Sequence, residues 1–554
     1  MIFYYAMQHK LLLVLLLTCR IFSAHAQVLS ETNLPIVLIN TNGAPINDEP
    51  KIPASMKIID NGPGQLNHPT DPANDFDGKI GIELRGSTSQ GYPKKPYDLE
   101  IWDDNNEDED ASLLGMPKES DWALISPLND KTLLRDVLAY KFAADAMDWA
   151  PRTRFCEVLL NGEYMGIYVL LETIKRDKKR VNIEKIEAEA PSTDSLTGGY
   201  VLKIDKYFNS PGGDWVSPYL PIPNGFARTY FQLHHPKRSD LNDAQFNYIK
   251  RYVTSAEKAL YAWKPNSPGK PVYENWIDVD SWVNYLLVNE IAKNTDGYRL
   301  SAYLYKDKTE KDSLLHMGPV WDFNISFGIG DYCESAPYTG WTKDFNNICP
   351  QDGWVIHFWW QKLCADTLFQ QRVVARWRAL REGAWSKANI EHTIDSLAKV
   401  IETAQVRNFQ RWQVLGQYVW PNSYIGQSWQ DEMKFLRDWV RNRALWLDGN
   451  IEGVGPRPTL PQSYPYVTNA RIGPNPVPSN GSLILEFTTG GQEDAHFRLY
   501  DVQGRLITAP IKLPPGPREH VEIPMNGIPP GFYFYRITVG EEVVNRGKLE
   551  VIRP

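Results

Sequence analysis

Two aspartates carry the most pointed chemistry in the sequence. Asp296 sits in the turn sequence Asn294-Thr295-Asp296-Gly297, and Asp322 closes the apolar run LLHMGPVW, which follows the polar turn DKTEKD. Paired residues of an antiparallel hairpin stand at equal distances from the turn centre, and these two average to position 309, inside that turn. The spacing therefore predicts two carboxylates meeting at the open end of one hairpin. Carboxylates brought together repel unless a positive charge lies between them. A hard divalent cation shared with phosphate oxygens meets that need. A plain hairpin with an aspartate at each end for turn chemistry fits the same spacing.

The elements that must position these residues follow from periodicity. Residues 276–293 read as an apolar helix stopped by the Asn-Thr-Asp-Gly turn, and SAYLY reads as the first hairpin strand. Residues 28–110 read as strands, with KIGIELRGSTS and PYDLEIWD alternating at period two and Lys94 and Lys95 opening the second. The acidic run 103–110 reads as a solvated loop. Asp130 is placed to cap a helix from Lys131 onward. TRFCEVLL, Asn161-Gly162 and EYMGIYVLLETI form a hairpin signature, since Asn-Gly suits the tight two-residue turn. Residues 238–264 and most of 354–448 read as helices. A Pro-rich linker, 453–466, then leads into short strands with turn signals between them, an all-β module over 470–554.

Composition bounds the partners. With 59 basic and 67 acidic residues, the net charge of −8 argues against nucleic acid. The 19 Trp and 28 Tyr suit either a carbohydrate platform or a Trp-rich core, and the helical spacing of the aromatic stripes favours the core. Residues 1–26 have the form of a signal peptide: Lys10, the run Leu11–Leu17, then Ala24-His25-Ala26. No other run is long enough to span a membrane, so the mature chain is expected to be exported without a transmembrane segment. Cys333 and Cys349 flank a loop-like stretch and are expected to pair, worth about 3 kcal/mol by loop entropy. Cys156 and Cys364 read as buried thiols.

Several blocks together resemble the CotH kinase family, the spore-coat protein H-like proteins, over residues 28–450. They include RGSTSQGYPKKPYDLEIWD, APRTRFCEVLLNGEYMGIYVLLETIKRDKKRVNI, GGYVLKID, NTDGYRLSAYLYKD and GPVWDFNISFG. The resemblance implies an α+β fold: an atypical protein-kinase-like domain with a mixed β N-lobe and a helical C-lobe. It implies ATP and magnesium as cofactors, and phosphoryl transfer to a protein acceptor or to the protein itself. Protein kinases place a catalytic-loop Asp, a hairpin and a metal-binding Asp in this order. By that likeness Asp296 is the catalytic carboxylate and a metal ligand, and Asp322, in WDFN, is the magnesium ligand. Lys94 or Lys95 would neutralise phosphate, and Glu172 would pair with such a lysine or with Lys175 or Arg176. Arg85 and Arg135 are further cationic candidates. The chain departs from kinases at Ser301, which stands five residues after Asp296 where they carry a metal-binding Asn. It also has Asp-Phe-Asn for Asp-Phe-Gly and no G-x-G-x-x-G loop.

Residues 470–554 resemble the type A C-terminal sorting domain of the type IX secretion system, carried by GPNPVPSNGSLILEF, LYDVQGRLI and PPGFYFYRITVGEEVVNRGKLEVI. This resemblance implies a β-sandwich that meets the type IX machinery, and export through periplasm and outer membrane of a Bacteroidota-type cell. Two functions compete: an exported ATP-dependent kinase of protein Ser or Thr, and a catalytically inactive surface adhesion or glycan-associated protein on the same fold.

Overall fold

The computed structural model describes residues 29–186, 196–206, 214–455 apart from 224, 226 and 266, and 467–553 apart from 490–494, 502, 514–515 and 540–541. The signal-peptide segment and most of the Pro-rich linker lie outside the described residues. The chain is α+β, and its contacts divide it into two units. The first takes in residues up to Leu128, Thr153–Thr173 and Ala398–Val414; the second takes in Asn129–Arg152, Ile174–Leu397 and the chain from Leu415 on. In chain order the helices are α1 Arg135–Ala146, α2 Asp243–Ala262, α3 Val279–Ala292, α4 Phe345–Ile348, α5 Trp359–Ala365, α6 Thr367–Glu382, α7 Lys387–Ile401, α8 Ala404–Arg411 and α9 Trp429–Asn450.

The first unit is a closed seven-stranded barrel. Its strands are β1 Ile36–Asn40, β2 Ile52–Ile59, β3 Phe76–Leu84, β4 Tyr97–Trp102, β5 Asp121–Ile125, β6 Thr153–Leu160 and β7 Glu163–Glu172, in the order β1-β2-β3-β4-β5-β7-β6. Parallel pairing of β1 with β6, Ile36 opposite Glu157, completes the ring. The period-two alternation explains the interior: Tyr97, Leu99 and Ile101 of β4 and Ala54, Met56 and Ile58 of β2 are buried. Asn161 and Gly162 both take positive φ (51° and 80°), as the tight β6–β7 turn requires. Gly166, at φ 87°, lets α8 approach: a Cβ there would lie 2.5 Å from Asn408 Oδ1.

The second unit surrounds α3. Eleven of the fourteen residues of this helix are buried, so it is apolar on every side rather than along one stripe. Trp282 packs its ring 5.2 Å from Trp359 and 5.4 Å from Trp360, and Trp360 stacks on Tyr285. A five-stranded sheet in the same unit has the order β12-β11-β8-β10-β9, with β8 Tyr200–Ile204, β9 Asp214–Val216, β10 Tyr230–His235, β11 Ala302–Lys306 and β12 Leu315–Met317. Glu290, near the end of α3, is fully buried and pairs with the equally buried Arg443 of α9 at 2.9 Å. The Glu290 carboxylate also accepts from Tyr298 Oη and from the amides of Thr342 and Lys343. Burial pushes the Arg443 guanidinium down to about 10, against the pull of Glu290.

The C-terminal strands form two sheets, one of three strands and one of five. Val477, Leu485, Phe497, Leu499, Ile537 and Leu549 belong to the hydrophobic core that these strands share.

Two expectations need correction. The helix after Asp130 begins at Arg135 rather than Lys131. Asp130 spends its carboxylate on the Arg135 amide (2.8 Å), the Arg135 guanidinium (2.5 Å) and Thr132. The hairpin strand expected over LLHMGPVW is only Leu315–Met317. It stops where Gly318 takes φ 119° and Pro319 offers no N–H to the ladder.

Replacing Arg443 with Met should leave Glu290 as a buried charge without its partner, at a cost of about 3–5 kcal/mol. Urea unfolding of the purified protein checks this; a loss under about 1 kcal/mol would show that the pair carries little.

Candidate functional site

The site begins where α3 ends. Lys293 takes the left-handed conformation (φ 46°) and donates its amine to the carbonyls of Glu334, Pro337 and Thr339. The chain then turns through Asn294, whose side chain is fully buried. Its Oδ1 accepts from the Asp296 amide at 3.3 Å, and its Nδ2 donates to the Asp322 carbonyl at 3.2 Å. One amide side chain thus joins the two segments that carry the aspartates. Gly297 is required here by space, since a Cβ would lie 1.8 Å from Asn289 Oδ1.

Asp322 is held in a conformation that L-residues avoid, φ 63°. Three bonds hold it there. Its amide donates to Tyr140 Oη at 3.2 Å, the next amide, of Phe323, donates to Asp136 Oδ1 at 2.8 Å, and its carbonyl accepts from Asn294. Asp136 and Tyr140 lie one turn apart on α1 and so present neighbouring groups. The Asp322 side chain is left exposed. Backbone strain of this kind costs about 1–3 kcal/mol and persists where surrounding contacts over-determine it.

Asp296 is aimed by Arg299. The guanidinium donates to Asp296 Oδ1 at 2.6 Å, to Asp352 Oδ1 at 3.1 Å and to the carbonyls of Thr295 and Trp354, and it lies 4.1 Å from the Phe345 ring centroid. Burial pushes the Tyr332 phenol well above its ordinary range. Asp296 raises it further, Arg299 opposes, and Asp352 and Asp322 add to the rise. Tyr332 therefore sits in the field of three carboxylates. The Cys333–Cys349 disulfide ties the segment after Tyr332 to the one before Asp352.

The two aspartates are joined by Asn294, not by hairpin pairing. The observed register sets Leu304 opposite Met317 and Lys306 opposite Leu315, which moves the turn centre to between 310 and 311. Asp296 and Asp322 both lie beyond the paired strands. Ser301 (φ 48°) stands just before β11, and among the described residues no hydrogen bond ties its hydroxyl to either aspartate.

Of the other sequence candidates, Lys94, Lys95, Glu172 and Arg85 lie in the barrel unit and Arg135 lies in the second unit. Lys94 is fully buried, and its amine donates to the Ile167 carbonyl (2.5 Å) and to Asn408 Oδ1 (3.0 Å). Burial lowers it to about 7. The Lys94 amine is thus enclosed and engaged by the barrel's own acceptors. Lys95, half-buried, donates to the Gln90 carbonyl, and Glu172 is fully buried at the end of β7, opposite Trp122. Arg85 pairs with Asp98, and Arg135 with Asp130.

Residues 82–447, more than half of the chain, match the family model described as CotH kinase protein. The chain belongs to the CotH kinase protein family. Residues 474–549 match the model described as secretion system C-terminal sorting domain. This CotH protein is accordingly an exported one, carried by type IX secretion to the cell surface or beyond. Among its described residues no helix is long and apolar enough to cross a membrane. No curated protein matches it. The carboxylate site of the CotH chain contains more than its two aspartates. Tyr332, Asp352, Asp136 and Tyr140 had no sequence signal because they lie far along the chain from the aspartate segments, whereas Asn294 and Arg299 stand within three residues of Asp296.

Asn294→Ala should cost about 1–3 kcal/mol, since it leaves the buried segments without their shared partner. Asp322→Gly should stay within about 1 kcal/mol of wild type, with strain relief offsetting glycine's extra freedom. Urea midpoints of the two variants check this, and equal losses would contradict the clamp.

Lys94 gives a pH signature. Its folded pKa is depressed, so the burial penalty is full below about 7 and fades as pH rises towards the unfolded value. Wild-type stability should gain from this group between pH 7 and 10, by up to about 4 kcal/mol at 1.36 kcal/mol per unit. Lys94→Met should flatten that rise in melting temperature; parallel profiles would contradict it.

Proposed function

We propose that this protein is an exported kinase of CotH type that transfers the ATP γ-phosphoryl group to a Ser or Thr hydroxyl of a protein, its own chain included. The carrying observation is the Asn294 side chain bonded to both aspartate segments. No group of three or more His, Cys, Asp and Glu side chains suited to a metal occurs among the described residues. That suits magnesium, which is typically held by one or two carboxylates together with substrate phosphates rather than by an all-protein cage. Asp322 and Asp296 would hold the ion, with the Ser301 hydroxyl a weaker ligand than the kinase Asn. When bound, magnesium neutralises the charge on the phosphate oxygens.

The chain's own residues do the rest. Asp296 orients the acceptor hydroxyl and takes its proton as the new O–P bond forms and the bond to the departing ADP oxygen breaks. Arg299 fixes the carboxylate that receives the proton. Asp136, Tyr140 and Asn294 hold Asp322 in place, so that little reorganisation is needed at the moment of transfer. The reading rests on second-unit residues and gives Lys94 no part.

Calorimetry of the mature protein with ATP, with and without magnesium, tests the reading. Magnesium-dependent binding is expected, weakened at least tenfold in Asp322→Ala. Asp296→Asn should retain nucleotide while lowering phosphate transfer by about 10²–10⁴-fold. No binding at millimolar ATP would overturn the kinase reading and leave a non-catalytic surface protein on the same fold.

A further inference from the structure

The second unit also carries a cavity of about 460 Å³. Its lining includes Lys178 and Lys179, Asp148 and Trp149 just past α1, Asp278 at the start of α3, and Tyr305 of β11. Asp278 caps the N-terminus of α3, whereas Asn294 lies two residues beyond its C-terminus. Fourteen residues at 1.5 Å each set these ends roughly 20 Å apart, and neither Asp296 nor Asp322 lines the cavity, so it is not the carboxylate site.

The charges around it are unequally engaged. Asp278 accepts from the Ser281 amide at 2.8 Å and faces His316 Nδ1 at 3.6 Å. Burial, then the nearby Asp148, Asp278 and Asp312, push the Tyr305 phenol well above its ordinary range. Lys178 and Lys179 are exposed, and among the described residues neither ammonium group has a carboxylate or carbonyl partner. Tyr305 is fixed by stacking on His316, with ring centroids 4.7 Å apart and planes 7° from parallel.

A ligand suited to these walls needs three features. It needs an anionic group for the two lysines, hydroxyl donors for carboxylates that still have lone pairs, and an apolar face for the Trp149 and Tyr305 rings. We infer that this cavity is a second ligand site, specific for an acidic saccharide unit such as a uronate. The volume lies within the ordinary range for small-ligand pockets. A neutral sugar would leave the lysines unmatched, and an acidic peptide would bring few hydroxyls to Asp148 and Asp278.

The test is calorimetry of the mature protein with a uronate oligomer, its neutral-sugar counterpart and poly-glutamate at one ionic strength. The uronate oligomer is expected to bind, with the neutral oligomer and poly-glutamate at least tenfold weaker. The double variant Lys178→Ala/Lys179→Ala should lose at least tenfold for uronate and Asp148→Asn several-fold, each with an unchanged near-UV circular dichroism spectrum. Magnesium-dependent ATP binding by the double variant should stay within twofold of wild type, which separates this site from the kinase reading. The inference is overturned by no heat with millimolar uronate, by equal affinity for poly-glutamate, or by unaltered binding in the folded lysine variant.

Discussion

The side chain of Asn294 is bonded at once to the amide of Asp296 and the carbonyl of Asp322, and the site depends on that double contact. A primary amide suits the task because it donates and accepts from adjacent atoms. Buried as it is, Asn294 could not lose either bond cheaply. The clamp works only if α3 ends where it does. The left-handed Lys293 and the space kept open by Gly297 fix that ending. From the other side α1 presents Asp136 and Tyr140 to the amides of Phe323 and Asp322. Asp322 is thereby kept at positive φ with its carboxylate turned outward. The strain is local, and the contacts that sustain it come from one helix, α1, and the turn after α3.

Around that centre the second unit is built to resist rearrangement. The buried Glu290–Arg443 pair joins α3 to α9 and also collects the amides of Thr342 and Lys343. A buried ion pair is a weak source of net stability, since desolvation offsets much of the attraction. Its effect is better seen as specificity. The segment between Tyr332 and Asp352 is fixed by this pair, by the Lys293 amine and by the Cys333–Cys349 disulfide. Arg299 then reaches Asp296 and Asp352 in a single geometry. The aromatic content belongs largely to this framework: Trp282, Trp359, Trp360, Trp377 and Trp385 are all fully buried.

Local pattern carried the parts of the fold that depend on local pattern. Alternation marked β3 and β4, Asn161-Gly162 marked the β6–β7 turn, and the apolar run 276–293 marked α3. The closure of the barrel was not legible, because β1 and β6 pair in parallel across more than a hundred residues. The two aspartates were found by residue type and spacing, yet the reason they are joined was misplaced. Symmetric counting assumed an unbroken ladder, whereas Gly318 and Pro319 end β12 early and the join passes to Asn294. The surroundings of Lys94 were hidden for a similar reason. A lysine at the head of a strand reads as an exposed charge, and only the approach of α8 through Gly166 makes it a buried amine with Asn408 as partner. What a sequence window cannot contain is the partner that arrives from elsewhere in the chain.

The most direct measurement is anomalous diffraction from crystals of the mature protein grown with manganese, as a stand-in for magnesium, and a non-hydrolysable ATP analogue. A manganese peak is expected about 2.1 Å from carboxylate oxygens of Asp322 and Asp296, with the Asn294 bonds intact. A metal bound elsewhere, or nucleotide bound with no metal at this pair, would contradict it.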